Sequence, residues 1–162
     1  NNSNIVPAAE QAASMYEFEV YVIPSTSLPQ GVAAMLAFNP GESLERNLDA
    51  MRKSLDTVKT IEVTEAVRES HIADLNIAEG QFISLVDGHI MAVGDHPQTV
   101  LLETLQGLGD LTGRLATLYW GDTLLEDEVN RTVTSIRERI PQLEVEVVKG
   151  GQPLYPYVAS LE

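Results

Sequence analysis

The sequence predicts a mixed α/β fold with α+β features, and three observations predict it. Apolar residues at helical spacing alternate with short β-branched runs along the 162 residues. An Asp87-Gly88 dipeptide joins two strand-like runs, the pattern of a tight antiparallel hairpin. The composition, 44% hydrophobic and 21% charged, supports a packed core and argues against wholesale disorder.

The elements follow in order. Asn2, Ser3 and Asn4 are capping residue types ahead of Ile5, Ala8, Ala9, Ala12, Ala13 and Tyr16, which share one helical face. Phe18 to Ile23 (FEVYVI) is β-branched and aromatic and is expected to be a strand closed by Pro24. Gln30 to Phe38 reads as a short, mostly buried helix that stops at Asn39-Pro40-Gly41. Ser43 can cap a further helix whose apolar stripe is Leu44, Leu48, Met51, Leu55 and Val58. The first sixty residues thus read helix, strand, helix, helix, and a sheet there needs strands from sequence preceding Asn1.

After Lys59 the period changes to two. Thr60 to Arg68 reads as a strand, and Gln81 to Val86 with His89 to Val93 as the hairpin. Ala78-Glu79-Gly80 marks another turn. Pro97 to Leu108 is a leucine-rich helix and Leu115 to Trp120 a strand. Thr123 to Ile140 is a long helix, acidic at its start and basic at its end, an order that complements the helix dipole. Leu143 to Val148 and Tyr155 to Leu161 close the chain as strands.

Charge and composition exclude several classes of function. With 24 acids against 10 bases the net charge is -14, so a nucleic-acid partner is not expected. The longest apolar runs, such as Gly31 to Phe38, are too short to span a bilayer. Cysteine is absent, which removes disulfides, thiolate nucleophiles and cysteine-ligated zinc, and fits a reducing cytoplasm. No secretory leader pattern is present. The sequence opens in the loop-like run Asn1-Asn2-Ser3-Asn4 and is expected to be a fragment of a longer protein.

Catalytic motifs are not evident. His71, His89 and His96 lack the spacing of a helical zinc site. Gly107, Gly109 and Gly113 follow a helix, whereas a dinucleotide loop follows a strand. Two polar clusters stand out instead. One is Asn1 to Asn4, which either caps a helix or presents amides to a partner. The other is Lys149-Gly150-Gly151-Gln152-Pro153-Leu154-Tyr155-Pro156-Tyr157, either a turn into an edge strand or a recognition loop. Paired glycines permit unusual backbone angles there, prolines stiffen the chain, and tyrosines offer amphipathic surface.

The run Gly150 to Tyr157 (GGQPLYPY) resembles the closing signature of the large kinase subunit of bacterial fatty acid kinases, also known as dihydroxyacetone-kinase-related or DAK phosphatase-domain proteins. Other stretches agree in order: Asn1 to Asn4 with Ala8-Ala9-Glu10-Gln11-Ala12, Ile23-Pro24 with Pro29-Gln30-Gly31, Ala37-Phe38-Asn39-Pro40, and Ala66-Val67-Arg68. The resemblance runs over essentially the whole chain. It implies a C-terminal, DegV-like domain, with residues 1–60 as the C-terminal portion of a Rossmann-like subdomain. Residues 61–162 would form a second α/β subdomain with a mixed sheet, the hairpin and the GGQPLYPY segment. It implies ATP and magnesium for a kinase domain elsewhere, and no cofactor, catalytic residue or metal ligand in this fragment. The implied partners are a DegV-like fatty-acid-binding protein and the protein's own kinase and middle domains, and a homodimer is compatible with them. Asn2, Asn4, Gln30, Gly150, Gly151, Gln152, Tyr155 and Tyr157 are the expected contact residues. The expected function is non-catalytic docking of the acyl-carrying partner. A DegV-like lipid-binding module is the first alternative and a phosphotransferase or phosphatase the second.

Overall fold

Local chemistry fixes most element boundaries. In the computed structural model, which describes residues 2–72 and 75–162, Asn1, Ala73 and Asp74 lie outside the described residues. The chain falls into two compact units, Asn1–Lys59 and Thr60–Glu162.

The first unit holds three helices: α1 (Ile5–Ala13), α2 (Leu28–Ala37) and α3 (Leu44–Ser54), the last running into a 3-10 turn at Leu55–Thr57. Ser27 caps α2 by accepting from the Gln30 amide, and Pro29 sits in the first turn, where its missing N–H is no loss. Ser43 caps α3 through the Arg46 amide. Asn47 is buried and fully used. Its Oδ1 accepts from the Asn39 amide at 2.7 Å and its Nδ2 donates to Asn39 O at 2.8 Å. That pair pins the Asn39-Pro40-Gly41 turn to α3.

The strand expected at Phe18–Ile23 is not formed. Residues 18–23 are extended but belong to no ladder, and among the described residues no backbone hydrogen bond engages residues 18–22. High β-propensity reflects fit to a pleated, partnered surface and does not make a strand alone. Among the described residues, this unit offers no second strand.

In the second unit the order is β1 (Lys59–Glu65, its first residue closing the preceding unit), β2 (Ser70–Ile72), β3 (Leu75–Ile77), β4 (Phe82–Val86), β5 (His89–Gly94), α4 (Pro97–Gly107), β6 (Leu115–Trp120), α5 (Glu126–Arg139), β7 (Glu144–Lys149) and β8 (Tyr157–Leu161). Six strands form one mixed sheet in the order β5-β4-β1-β8-β6-β7. β1–β4, β4–β5 and β6–β8 are antiparallel, and β6–β7 is parallel. The parallel pair needs a crossover, and α5 supplies it. The sequence-predicted hairpin forms: Asp87 (φ 48°) and Gly88 (φ 83°) adopt the left-handed angles of a type I′ turn. β2 and β3 pair only with each other and carry no signal in the sequence, since three residues are too few to show a period. Their register places His71 opposite Asn76, and the two side chains meet at 2.7 Å.

Long helix α5 begins at Glu126, three residues later than expected. Leu125 remains extended, and its N–H donates to the Glu128 carboxylate at 2.8 Å. The core is built from Ile61, Val63, Val100, Leu101, Leu105, Leu111, Leu118, Val129 and Ile136, each 2% exposed or less. Full burial of such side chains stabilises by about 1.5–3 kcal/mol apiece before conformational entropy is counted. Within this core Ser84 and Thr104 share a hydrogen bond, so neither hydroxyl is orphaned.

The hairpin turn is directly testable. Gly88→Val forces a β-branched residue into the left-handed region and should cost about 1–2 kcal/mol in urea unfolding. An unchanged midpoint would show that the turn geometry does not set the hairpin.

Candidate functional site

Sheet order dictates where the GGQPLYPY segment runs. β7 and β8 lie on opposite sides of β6. β7 runs parallel to β6 and β8 antiparallel to it. A chain leaving β7 therefore has to cross the C-terminal end of β6 before it can enter β8. Residues 150–156 make that crossing as a strap.

The strap is bonded down along its length. Gly150 and Gly151 both donate to Trp120 O, at 3.0 and 3.1 Å. Gly121 donates to Pro156 O at 3.0 Å, and Asp122 to Gln152 O at 3.1 Å. The Gln152 amide turns inward and donates to Tyr119 O at 2.8 Å, while its Oε1 is buried without a partner among the described residues. Thr64 on β1 donates its hydroxyl to Leu154 O at 3.0 Å. The Lys149 ammonium sits 5.1 Å from the centre of the Trp120 ring, a cation–π distance.

Two glycines make the crossing sterically feasible. A Cβ on Gly121 would lie 2.4 Å from Tyr155 O and 2.5 Å from Gln152 O, inside any tolerable contact. Gly151 takes φ 69°, an angle that side-chain-bearing residues rarely adopt.

Beside the strap lies a cleft of about 400 Å³, contained within the second unit. Pro153, Leu154, Tyr155 and Pro156 form one wall. Thr64, Glu65, Val67 and Phe82 come from the end of β1 and the start of β4. Pro97, Thr123 and Leu124 complete it. Leu154 is 71% exposed and Val67 87% exposed, so apolar surface is offered to solvent at the rim. In an α/β sheet, the space beyond the carboxyl ends of parallel strands is where ligands and partners are received.

The electrostatics are mild. Burial raises the Glu62 carboxyl above its ordinary value. Burial, and then the Glu62 charge, raises the Tyr155 hydroxyl. Among the described residues no group of three or more His, Cys, Asp or Glu stands together as a metal site.

The residues expected from sequence divide between the units. Gly150, Gly151, Gln152 and Tyr155 are brought together in the strap. Tyr157 is not on its surface: it is 1% exposed and its hydroxyl bonds Thr132 at 2.9 Å in the core. Asn2, Asn4 and Gln30 belong to the first unit. Asn2 Oδ1 accepts from the Asn4 amide at 2.8 Å, so a turn precedes α1, and Asn4 makes no side-chain cap. The Gln30 side chain is occupied within its own unit, accepting from the Thr26 amide at 2.8 Å and donating to Leu55 O at 3.4 Å. Sequence reasoning missed Gly121 and Asp122, which underlie the strap. The signal was available as a Gly-Asp-Thr step between a strand and a helix.

A mixed α/β domain with a strapped parallel pair and an apolar-rimmed cleft is a binding architecture, and comparison with known proteins supplies its family. The FakA-like C-terminal family, drawn from fatty acid kinases, matches residues 1–162, and the chain belongs to it. Among its relatives, protein YloV of Bacillus subtilis (strain 168) is 35% identical over 162 residues, covering 100% of this chain and 29% of YloV. An uncharacterized protein of Staphylococcus haemolyticus (strain JCSC1435) is 34% identical over the same length, again 29% of that protein. The chain thus spans about three tenths of the curated relatives it matches.

Solved structures show that the fold is DegV-like. The DegV family protein Cg2579 from Corynebacterium glutamicum superposes with a TM-score of 0.62 at 15% identity, covering 99% of this chain and 72% of its own. The Streptococcus pneumoniae fatty acid kinase (Fak) B3 protein, solved loaded with linoleic acid, gives 0.62 at 12% identity, covering 99% and 69%.

Two outcomes are expected here. Gly121→Ala drives a methyl into the strap backbone and should lower stability by roughly 2 kcal/mol or more, read by urea unfolding. Wild-type stability would show that the crossing has slack. The second concerns pH. Because the folded state raises the Glu62 pKa, folding is favoured below the unfolded value of 4.5, and that advantage is lost as pH rises through the folded value. Glu62→Gln should therefore raise Tm at pH 7, with the gain shrinking toward zero below about pH 4. A gain that grows in acid would contradict this assignment.

Proposed function

We propose that this domain docks a DegV-like, acyl-carrying protein onto a fatty acid kinase and itself performs no step of the phosphoryl transfer. In this reading the whole protein transfers phosphate from ATP to the carboxylate of a fatty acid, giving an acyl phosphate. ATP and magnesium are held by its other domains, in a cytoplasmic setting. The observation that carries the docking role is the strap: the family's terminal signature is a rigid, bonded-down loop that leaves Leu154 exposed beside an apolar cleft. A surface already ordered before binding loses little conformational entropy on association.

Leu154 is the residue to test, because its side chain is exposed while only its backbone carbonyl serves the fold. Leu154→Asp should weaken calorimetric binding of the acyl-carrying protein at least about tenfold, roughly 1.4 kcal/mol, at unchanged Tm. Undiminished affinity would remove the strap from the interface.

A second reading takes the same cleft as a lipid pocket. Its support is the apolar lining together with the fold shared with a protein solved with linoleic acid. Native mass spectrometry of gently purified protein separates the two readings: a co-purified fatty acid favours the pocket, and its absence favours docking.

A further inference from the structure

Residues 18–23 have the composition of an interior strand and pair with no other strand among the described residues. Phe18, Val20 and Tyr21 are 65%, 40% and 44% exposed, and Glu19 is the one charge in the run. Strands of a parallel sheet buried on both faces read as near-continuous apolar runs of this kind. The local order agrees. The segment follows α1 and precedes α2, as a strand does in a sheet alternating with helices.

A second observation comes from α2. Its sequence, LPQGVAAMLA, is apolar on every side, the signature of a helix covered all round. Yet only Pro29 and Ala34 are buried, and Met35 and Leu36 are 70% and 79% exposed. Eleven large apolar side chains of this unit, from Ile5 to Leu44, stand exposed. The row of unbonded amides and the uncovered helix ask for the same thing, a sheet.

We infer that residues 18–23 form a β-strand within a sheet whose other strands come from elsewhere in the same, longer polypeptide, and that this sheet covers α2. The occupant is argued from length. The relatives are more than three times as long as this chain. Structures of the same fold match 99% of it, yet more than a quarter of each of their chains has no counterpart here. A second copy of this chain would bring another lone strand, and a two-stranded ribbon is marginal in water. The inference stands apart from the docking role, which concerns the strap of the second unit.

Amide hydrogen exchange tests it. Residues 18–23 are followed in the intact polypeptide and in the 162-residue chain, each at two concentrations. Exchange should be at least about 100-fold slower in the intact polypeptide, independent of concentration. Equal rates in both would overturn the inference, as would protection in the short chain that grows with concentration. Val20→Pro gives a second readout by deleting one strand amide. It should lower the Tm of the intact polypeptide, or prevent its folding, and leave the short chain's Tm unchanged. An equal effect on both, or none on either, would contradict the pairing.

Discussion

The structure of the second unit depends on one close approach, the backbone of residues 152–155 lying against Gly121. It follows from topology. With β7 and β8 on opposite flanks of β6, their connection passes over the end of β6 at hydrogen-bond distance. Every group at that end is then enlisted. Trp120 O takes two amides, and the Gly121 and Asp122 amides each find a strap carbonyl. A side chain at 121 or an ordinary residue at 151 would lift the strap and orphan these donors, each worth about 1–3 kcal/mol if buried unpaired. The glycines of the signature are thus a consequence of sheet order.

The same crossing gives the strap its use. Loops that carry function are usually mobile, and ordering them costs binding energy. Here Pro153 and Pro156 fix two backbone angles and hydrogen bonds fix the rest, so Leu154 is presented by a surface with little left to lose. Tyr155 and Tyr157, two apart on the chain, part company. Tyr155 lines the cleft, while Tyr157 enters β8 and spends its hydroxyl on Thr132. The strap therefore has a recognition stretch, 153–155, set between anchoring ends.

Most of the second unit was legible in the sequence because its signals are local. Asp87-Gly88 specifies its turn by backbone angle, Leu115–Trp120 by β-branched and aromatic content, and α5 by a stripe that repeats over four turns. What was not legible is non-local. The strip β2–β3 is too short to show a period, the start of α5 is set by where the Gly121 turn releases the chain, and the role of Gly121 exists only once sheet order is known. At the site, Gly150 to Tyr155 could be read as a special loop from glycine and proline alone. That Tyr157 is core could not, because the sequence shows a tyrosine's type but not the threonine awaiting it. Gln30 likewise reads as a contact residue but is consumed by Thr26 and Leu55.

The failed strand at 18–23 is the most informative mismatch, and it contrasts with β8. Both are short apolar runs. In β8 all five residues, Tyr157–Leu161, are buried, because β6 pairs it and α5 covers it through Thr132. FEVYVI has equal propensity and no neighbouring strand among the described residues, so its amides stay unbonded and its side chains stay exposed. Propensity alone cannot separate the two, since strand formation is a property of pairs. When a sequence insists on a strand and the surrounding chain offers no partner, the discrepancy points to a missing neighbour, and the apolar girth of α2 independently requires one.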